Sequence, residues 1–430
     1  MNAAASTSVP GPAPPVWRDP AGWQKTADIV AVLIALALPW STSLVGILAT
    51  VWLVAVVPTL DFGRVAELLK RPVCALPVAL FALAAVGTLW SDASWGARLY
   101  AVGPAAKLLM LPLLFYHFRR SSRGMWVFVA FLVSCTLLMA VSWIVVLYPD
   151  LSLRKGDFQR GVFVKNYIDQ SQEFALCAVA LAWPAITLLR ERRIGLAALL
   201  IVVSLSFVIN MTLVIVSRTA LVTMPAMLAV FAALHLTRRS NLIIVCVTVV
   251  LAGLAWVTSP PLRWTAQSFL RDYQFYKEEH QPTSIGMRLE FWQKSLWFFA
   301  EAPVIGHGTG STRGLFEQAA SGPKVLAEGQ VVGNPHNQTL NVAVQWGIVG
   351  VALLYAMWWF HLMLFRGDGL VPWIGLLVVV QNIFSSLFNS HLFDFHEGWM
   401  YVLGVGVAGG MTLAMCPEKA PVASASSGQP

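Results

Sequence analysis

Long apolar stretches, separated by short polar ones, run along most of this chain. Twelve of them predict membrane spans, because a helix of roughly 20 apolar residues crosses the hydrocarbon layer. They cover residues 27–40, 43–58, 73–90, 99–117, 124–147, 166–189, 194–209, 219–236, 241–258, 337–365, 370–388 and 397–415. The first two are short and could form a tight hairpin or a re-entrant pair. The pattern predicts an all-α polytopic membrane protein with about 12 transmembrane helices.

One polar segment, residues 259–335, is far longer than a turn between two spans requires. Loops of this length are usually functional or disordered, and the helical periodicity here favours function. An apolar stripe predicts an amphipathic helix over 285–300 at the membrane surface. The stripe consists of Ile285, Leu289, Trp292, Leu296 and Phe299. Pro303 ends this helix, and a second short helix is expected around 311–320.

Composition and charge agree with this picture and add an orientation. The chain is 57% hydrophobic and 12% charged, whereas soluble proteins carry about 25% charged residues. With an even number of spans both termini share one side, and most Lys and Arg residues of the short loops fall there, which makes it cytoplasmic. The predicted organisation is a disordered cytoplasmic tail (1–26), helices 1–9 (27–258), a periplasmic loop with amphipathic helices (259–335), helices 10–12 (336–416) and a second disordered cytoplasmic tail (417–430).

The end of the polar segment carries the main candidate for chemistry. Asn334 suits the N-cap of the following helix, and Pro335 suits its first helical position. His336 is therefore expected in the first turn of a membrane helix, at the water boundary. Because the positive end of the helix dipole disfavours a protonated imidazole, His336 is expected to be neutral and to accept a proton.

Several cationic and amide residues are predicted on the same side of the membrane as His336. They are Arg218, Arg288, Lys165 and Asn166, together with Arg154, Lys155 and Arg160. Guanidinium groups bind phosphate oxygens through two parallel hydrogen bonds, so this set suits a phosphate-bearing lipid in the outer leaflet. Simple anchoring to lipid headgroups is an equal alternative for Arg154, Lys155 and Arg160.

The motifs of metal and nucleotide enzymes are missing from the sequence. It contains no H-E-x-x-H, no P-loop and no G-x-S-x-G motif, and no Asp-x-Asp pair lies in a predicted outer loop. His391 and His396, in the last outer loop, match no strong metal template. We therefore expect no metal, and expect arginines to stabilise a leaving diphosphate.

Taken in order, these elements resemble the bacterial O-antigen ligase and polymerase superfamily. The similar pieces are Ser217-Arg218 before a span, Arg288-x-x-x-Trp292, Pro303-x-x-Gly306-x-Gly308, His336-Asn337-x-x-Leu340 ahead of Gly347-x-x-Gly350, and Asn166 after Gly161-x-Phe163. The resemblance implies a GT-C-like glycosyltransferase of the bacterial inner membrane. Its expected reaction is a metal-independent, inverting transfer of O-antigen glycan from undecaprenyl diphosphate to a sugar hydroxyl of lipid A–core, without a cofactor.

The resemblance also implies roles for individual residues. His336 is expected to deprotonate the acceptor hydroxyl, and Arg288 and Arg218 to hold the diphosphate. The complete set of predicted substrate-binding residues is Arg288, Arg218, Asn166, Lys165, Arg160 and Asn337.

Three other functions stay open at this point. An O-antigen polymerase would use another lipid-linked glycan as acceptor, and a protein O-oligosaccharyltransferase would use a Ser or Thr of a secreted protein. A transporter of lipid-linked glycans would need ionisable pairs near the middle of the membrane. Lys107 is the one charged residue near the middle of a predicted span, so the polar residues favour chemistry at one membrane face.

Overall fold

The computed structural model describes residues 19–153, 160–235, 249–250, 252–320 and 326–415. Regular structure in these ranges is helical and contains no β-strand. In chain order the α-helices are α1 (Pro20–Ala37), α2 (Thr42–Val56), α3 (Phe62–Leu69), α4 (Pro72–Val86), α5 (Trp95–Ala106), α6 (Met110–Phe118), α7 (Gly124–Leu147), α8 (Tyr167–Ala180), α9 (Ala182–Arg190), α10 (Ile194–Leu213), α11 (Arg218–His235), α12 (Pro260–Glu279), α13 (Ser284–Glu301), α14 (Thr312–Gln318), α15 (Gln338–Leu364), α16 (Leu370–Ser385) and α17 (Phe395–Met415).

Eight helical stretches among the described residues are long and apolar enough to cross a membrane. They are Thr42–Thr59, Pro72–Leu89, Trp95–Phe118, Gly124–Leu147, Tyr167–Arg190, Ile194–Leu213, Gln338–Leu364 and Phe395–Met415. Two shorter apolar helices, Arg218–Leu234 and Leu370–Ser385, also coincide with predicted spans. Of the two remaining predicted spans, 27–40 falls mostly in α1. Residues 241–248 and 251 of the span 241–258 lie outside the described residues, and the rest of that span is helical. The multi-pass helical architecture is confirmed, whereas twelve spans and a GT-C-like fold stay predictions.

The N-terminal tail, predicted to be disordered over residues 1–26, ends earlier than predicted. Residues from Pro20 onward are helical, because Asp19 caps α1 by accepting a hydrogen bond from the backbone N–H of Ala21 at 3.0 Å. Pro20 occupies the first helical position, where no N–H is needed. The rest of this tail, and the tail predicted for 417–430, lie outside the described residues.

Helix α17 lies at the centre of the helical bundle, against α6, α7 and α16. Glycines let α6 approach it closely. A Cβ atom at Gly406 would meet the side chain of Leu114, and one at Gly409 would overlap the ring of Phe115. Small residues favour such close helix packing in membranes, where dispersion contacts between helices replace the hydrophobic effect. The close packing holds the start of α17 in place beside the residues described below.

Helix α15 is interrupted at Gly347, which has a φ of 60° and a ψ of −156°. The polar segment inserts at this break, where Ile348 donates a backbone hydrogen bond to Pro303 at 2.8 Å. On the other side of the break, His307 donates to the carbonyl of Val344 at 2.9 Å. The backbone groups that the break frees are thereby satisfied, as irregular backbone in a membrane protein requires. The sequence pattern predicted one continuous span here.

The polar segment contains three helices, of which two were predicted. Helix α13 includes the predicted 285–300, and α14 lies within the predicted 311–320. Phe291, Ser295 and Phe298 of α13 are buried. Phe291 and Phe298 pack with Phe316 and Val344 in a small separate core. The side chain of Leu296, from the predicted stripe, is 57% exposed, and the location of the stripe at the membrane surface stays a prediction.

Helix α12 was not predicted, although its start signals are present in the sequence. Ser259 caps it by accepting a hydrogen bond from Leu262 N–H at 3.1 Å, and Pro260 follows at the first helical position. The helix carries six charged residues, which lower its mean hydropathy, so it does not stand out as an apolar helix. It packs against α10 and α13 and lies beside the start of α11.

Candidate active site

His336 lies just before helix α15 and not in its first turn. The N-cap is Asn337, whose side chain accepts a hydrogen bond from Leu340 N–H at 3.1 Å. The predicted cap, Asn334, instead accepts from the N–H of His336 at 3.0 Å. This side-chain turn competes with the helix for the backbone, and it leaves His336 in the left-handed region with a φ of 54°. The predicted helical position of His336 is therefore wrong by one turn.

The His336 ring is oriented by two residues that the sequence analysis did not select. Its Nδ1 lies 3.0 Å from Asn389 Oδ1, and Asn389 Nδ2 donates to Asp394 Oδ2 at 2.5 Å. Because the carboxylate takes the amide N–H, the amide oxygen faces the ring and accepts from Nδ1–H. That tautomer leaves a lone pair on Nε2, which is the form of a histidine that can act as a base.

The surroundings of His336 keep it neutral, although the cause differs from the one expected. Burial lowers the pKa of His336, the hydrogen bond that it donates to Asn389 raises the pKa, and the positive charge of Arg288 lowers it. Its ring also lies 6.2 Å from that of Phe291, one helical turn after Arg288 on α13. The imidazole is thus ready to accept a proton at neutral pH.

Asp394 titrates close to neutrality. Burial raises the pKa of this carboxyl group to about 7, although the nearby Lys107 ammonium offsets part of the effect. Lys107, which the sequence marked as a lone charge within a span, donates hydrogen bonds to the backbone carbonyls of Phe393 and Asp394. It therefore ties the loop between α16 and α17 to α5 and α6, and holds the carboxylate that orients Asn389.

Three of the predicted arginines line one cavity of about 330 Å³. Arg160 comes from the loop before α8, Arg218 opens α11 and Arg288 belongs to the first turns of α13. The cavity also contains residues from the first turns of those three helices, including Tyr167 and Ser284. Helix N-termini carry partial positive charge and unpaired N–H groups, so this arrangement favours an anion.

Arg218 is held by the unpredicted helix α12. Its Nη2 donates to Ser268 Oγ at 2.5 Å and to Asp272 Oδ2 at 2.8 Å, and its guanidinium lies over the ring of Phe269. Its Nη1 and the hydroxyl of Ser217 are buried without a hydrogen-bond partner among the described residues. Buried donors are almost always satisfied, so both groups are available to a ligand in the cavity.

Arg288 has neither a hydrogen bond nor a carboxylate partner within the described part of the chain. Burial lowers the pKa of Arg288, and the neighbouring charge of Arg218 lowers it further. An arginine nevertheless stays protonated in proteins. Two guanidinium groups held close together and only partly neutralised repel each other, so an anion between them would be bound strongly.

The other predicted binding residues are occupied within the fold. Lys165 is buried, its ammonium pairs with Glu173 at 3.0 Å, and it also donates to the carbonyl of Leu38. Asn166 caps α8 by accepting from Ile168 N–H at 2.8 Å, and Asn337 caps α15. Their roles in substrate binding stay predictions. Arg154 and Lys155 lie outside the described residues.

One group of side chains could hold a metal ion. Ligand atoms of His391, Asp394 and Glu397 lie within 4.8 Å of one another. His391 is buried, and its Nδ1 has no hydrogen-bond partner in the described ranges. The ammonium of Lys107 binds the same loop and already supplies a positive charge there, which disfavours a second cation. The spacing of these residues along the chain had matched no metal template.

The structure thus defines a multi-pass membrane protein with a cationic cavity beside a neutral, oriented histidine. Residues 208–355 match the family described as O-Antigen ligase, so this region of the chain is similar to that family. The matched region contains Arg218, Arg288 and His336, and it ends before Asn389 and Asp394. The family is one of membrane glycosyltransferase-like proteins, which supports an enzyme.

A protein of Haemophilus influenzae is similar over part of its length. It is 25% identical over 173 residues, which make up 39% of this chain and 38% of that protein, and it is described as uncharacterized. The similarity therefore supports a relationship and says nothing about activity.

Proposed function

We propose that this protein transfers an O-antigen glycan from undecaprenyl diphosphate to a sugar hydroxyl of lipid A–core. The observation that carries the proposal is the cavity with three arginines beside a histidine whose Nε2 can accept a proton. The match of residues 208–355 to the O-antigen ligase family supports it.

The cationic cavity binds the diphosphate of the donor. Arg218 and Arg288 contact its oxygens through guanidinium groups, and Arg160 lines the same cavity. As the bond between the anomeric carbon and the phosphate oxygen breaks, the leaving diphosphate takes the electron pair and gains negative charge. Preorganised cations stabilise such charge strongly in a partly dry site. The arginines do the work that a divalent metal does in other glycosyltransferases, so the reaction needs no metal.

His336 activates the acceptor. Its Nε2 takes the proton of the acceptor hydroxyl while the hydroxyl oxygen forms a bond to the anomeric carbon, on the face opposite the diphosphate. The configuration at that carbon is therefore inverted. A positioned general base contributes roughly 10²–10⁴-fold. Asn389 and Asp394 keep the ring in the required tautomer and stabilise the imidazolium that forms, as the acid of a catalytic triad does.

In the membrane, the end of the bundle that holds His336 faces the periplasm. The positive-inside distribution of Lys and Arg supports this orientation, with both termini in the cytoplasm of the bacterial inner membrane. Undecaprenyl diphosphate and lipid A–core then reach the site from the outer leaflet.

The proposal is tested with purified protein, a lipid-linked glycan donor, EDTA and two acceptors side by side. We expect glycan on rough lipopolysaccharide and none on a pilin-type protein. Glycan on the pilin-type protein would agree with the proposed mechanism, but it would show that the acceptor is a protein and not lipid A–core. Elongated donor with no transfer to either acceptor would make the protein a polymerase, and untouched donor with a correctly folded sample would contradict the enzymatic function.

A further inference from the structure

A second cavity, of about 760 Å³, lies at the same end of the molecule and shares no lining residue with the cationic one. Its walls come from the first turns of α5, the loop before α14, the start of α15 and the loop between α16 and α17. The proposed donor site does not include this cavity.

The second cavity is linked to His336 by hydrogen bonds. Asn334, Ser390 and Asp394 line it. Ser390 Oγ donates to Asn334 Oδ1 at 2.8 Å, and Asn334 Nδ2 donates to Asn389 Oδ1 at 2.9 Å, which is the atom that faces His336. The charge of Arg288 acts on His336 from the other cavity. His336 is therefore coupled to residues of both cavities, one of which suits an anion.

The lining of the second cavity suits a carbohydrate. Asn341 and Gln345 supply amide groups, Asp394 supplies a carboxylate and Arg313 supplies a cation. Gln345 Nε2 donates to Asn341 Oδ1 at 3.0 Å, so these amides are held in fixed positions. Such convergent donors and acceptors match the many hydroxyl groups of a sugar.

One wall of the second cavity is formed by a helix that is long and apolar enough to cross a membrane. Gly96, Tyr100 and Pro104 belong to the span Trp95–Phe118 and line the cavity. The side chain of Tyr100 is 85% exposed. Tyrosines of this kind occupy the interface between lipid and water, where the ring is apolar and the hydroxyl is hydrated. A glycan that is attached to a membrane lipid can thus reach the cavity from the bilayer surface.

We infer that the second cavity binds the acceptor, a glycan carried on a membrane lipid, and presents one of its hydroxyls to His336. This inference rests on the proposed glycan transfer and adds where the acceptor binds. The two cavities share no lining residue, so the acceptor and the leaving diphosphate can bind in separate places. An inverting transfer needs this, because the two must lie on opposite faces of the anomeric carbon.

Two glycines allow the second cavity to be filled without disturbing the fold. Gly96 and Gly333 line it, and a Cβ atom at either position would meet nothing within 4 Å. Gly314 on α14 has equally open surroundings and does not line the cavity, so Gly314→Trp is the matched control. Tyr100→Ala is a milder change at an exposed position.

The experiment measures initial rates of transfer to rough lipopolysaccharide while acceptor and donor concentrations are varied separately. We expect Gly96→Trp and Gly333→Trp to raise the acceptor KM at least about tenfold, which corresponds to the loss of one or two hydrogen bonds. Tyr100→Ala should raise it less, and Gly314→Trp should leave it unchanged. The donor KM should stay within about twofold of the wild-type value in all four variants.

Two results would overturn the inference while the proposed function stands. One is an unchanged acceptor KM in both Gly96→Trp and Gly333→Trp. The other is a donor KM that rises as much as the acceptor KM in these two variants. Transfer by the wild type to a pilin-type protein, with none to lipopolysaccharide, would contradict the inference that the acceptor is carried on a membrane lipid. Transfer by the wild type to no acceptor would contradict the proposed function and this inference together.

Discussion

Neutral His336 owes its properties to neighbours that are distant in the sequence. Arg288 lowers its pKa from α13, and Asn389, 53 residues further along the chain, fixes its tautomer. A histidine at a helix start in water would have neither constraint. The same residues that keep the ring neutral also prepare it for the imidazolium that forms, because Asp394 can compensate the new charge through Asn389.

The first prediction concerns pH. His336 must be unprotonated and Asp394 ionised. Burial lowers the pKa of His336 from its ordinary value and raises the pKa of Asp394 to about 7. Protonation of either group removes the base or its support, so kcat should be highest above pH 7 and fall as the pH is lowered through this range. Initial rates at saturating donor and acceptor measure this profile. A rate that rises on acidification would contradict a neutral base.

The second prediction concerns Asn389. Asn389→Leu removes the acceptor of the Nδ1 proton, and we expect kcat to fall at least roughly tenfold with the donor KM unchanged. Asn389→Asp keeps an acceptor and should recover part of the rate. Its carboxylate favours the imidazolium, so the acidic limb of the pH profile should move to higher pH. If both variants kept the wild-type profile, Asn389 would have no orienting role.

At the scale of elements, the break in α15 connects the polar segment to the membrane bundle. Gly347 has a backbone conformation that other residues rarely adopt, and a Cβ atom there would overlap the carbonyl oxygen of Val304. The polar segment hydrogen-bonds to both sides of this break and so fixes α13, with Arg288, relative to His336.

The third prediction follows from this geometry. Gly347→Ala introduces both a strained φ and a steric overlap, and should destabilise the protein by roughly 2 kcal/mol or more. We expect a lower melting temperature and a large loss of transfer activity. Gly46→Ala in α2, where a Cβ would meet open space, is the control and should be neutral or slightly stabilising. Equal melting temperatures for both variants would contradict the role of the break.

Sequence patterns predicted those elements that a short stretch of consecutive residues is enough to define. Apolar runs located the membrane helices, and the periodicity of α13 and the position of His336 at a polar boundary were visible without a structure. Helix α12 was missed because its charged residues keep its mean hydropathy low. Asn389 and Asp394 were missed because only tertiary contacts bring them to His336. The burial of Phe291 and Phe298 on α13 could not be predicted, because they pack on the small core around Phe316, which the helix's own sequence does not reveal.

At the scale of the whole molecule, the membrane bundle serves as a scaffold for three groups on different elements. The loop before α8 and the starts of α11 and α13 supply the cationic cavity, the start of α15 supplies His336, and the loop between α16 and α17 supplies its orienting residues. The donor and the acceptor are both membrane lipids in the proposed function. A site at one end of the bundle brings both to one histidine without either lipid leaving the bilayer.

The most direct test of the central claim measures donor binding and glycan transfer together in purified His336→Ala and Arg288→Lys. We predict that His336→Ala binds the lipid-linked donor like the wild type and transfers glycan at least roughly 10²-fold more slowly. Arg288→Lys should bind the donor more weakly, because an ammonium does not replace a bidentate guanidinium. Wild-type turnover in His336→Ala would contradict the assignment of the base, and with it the mechanism.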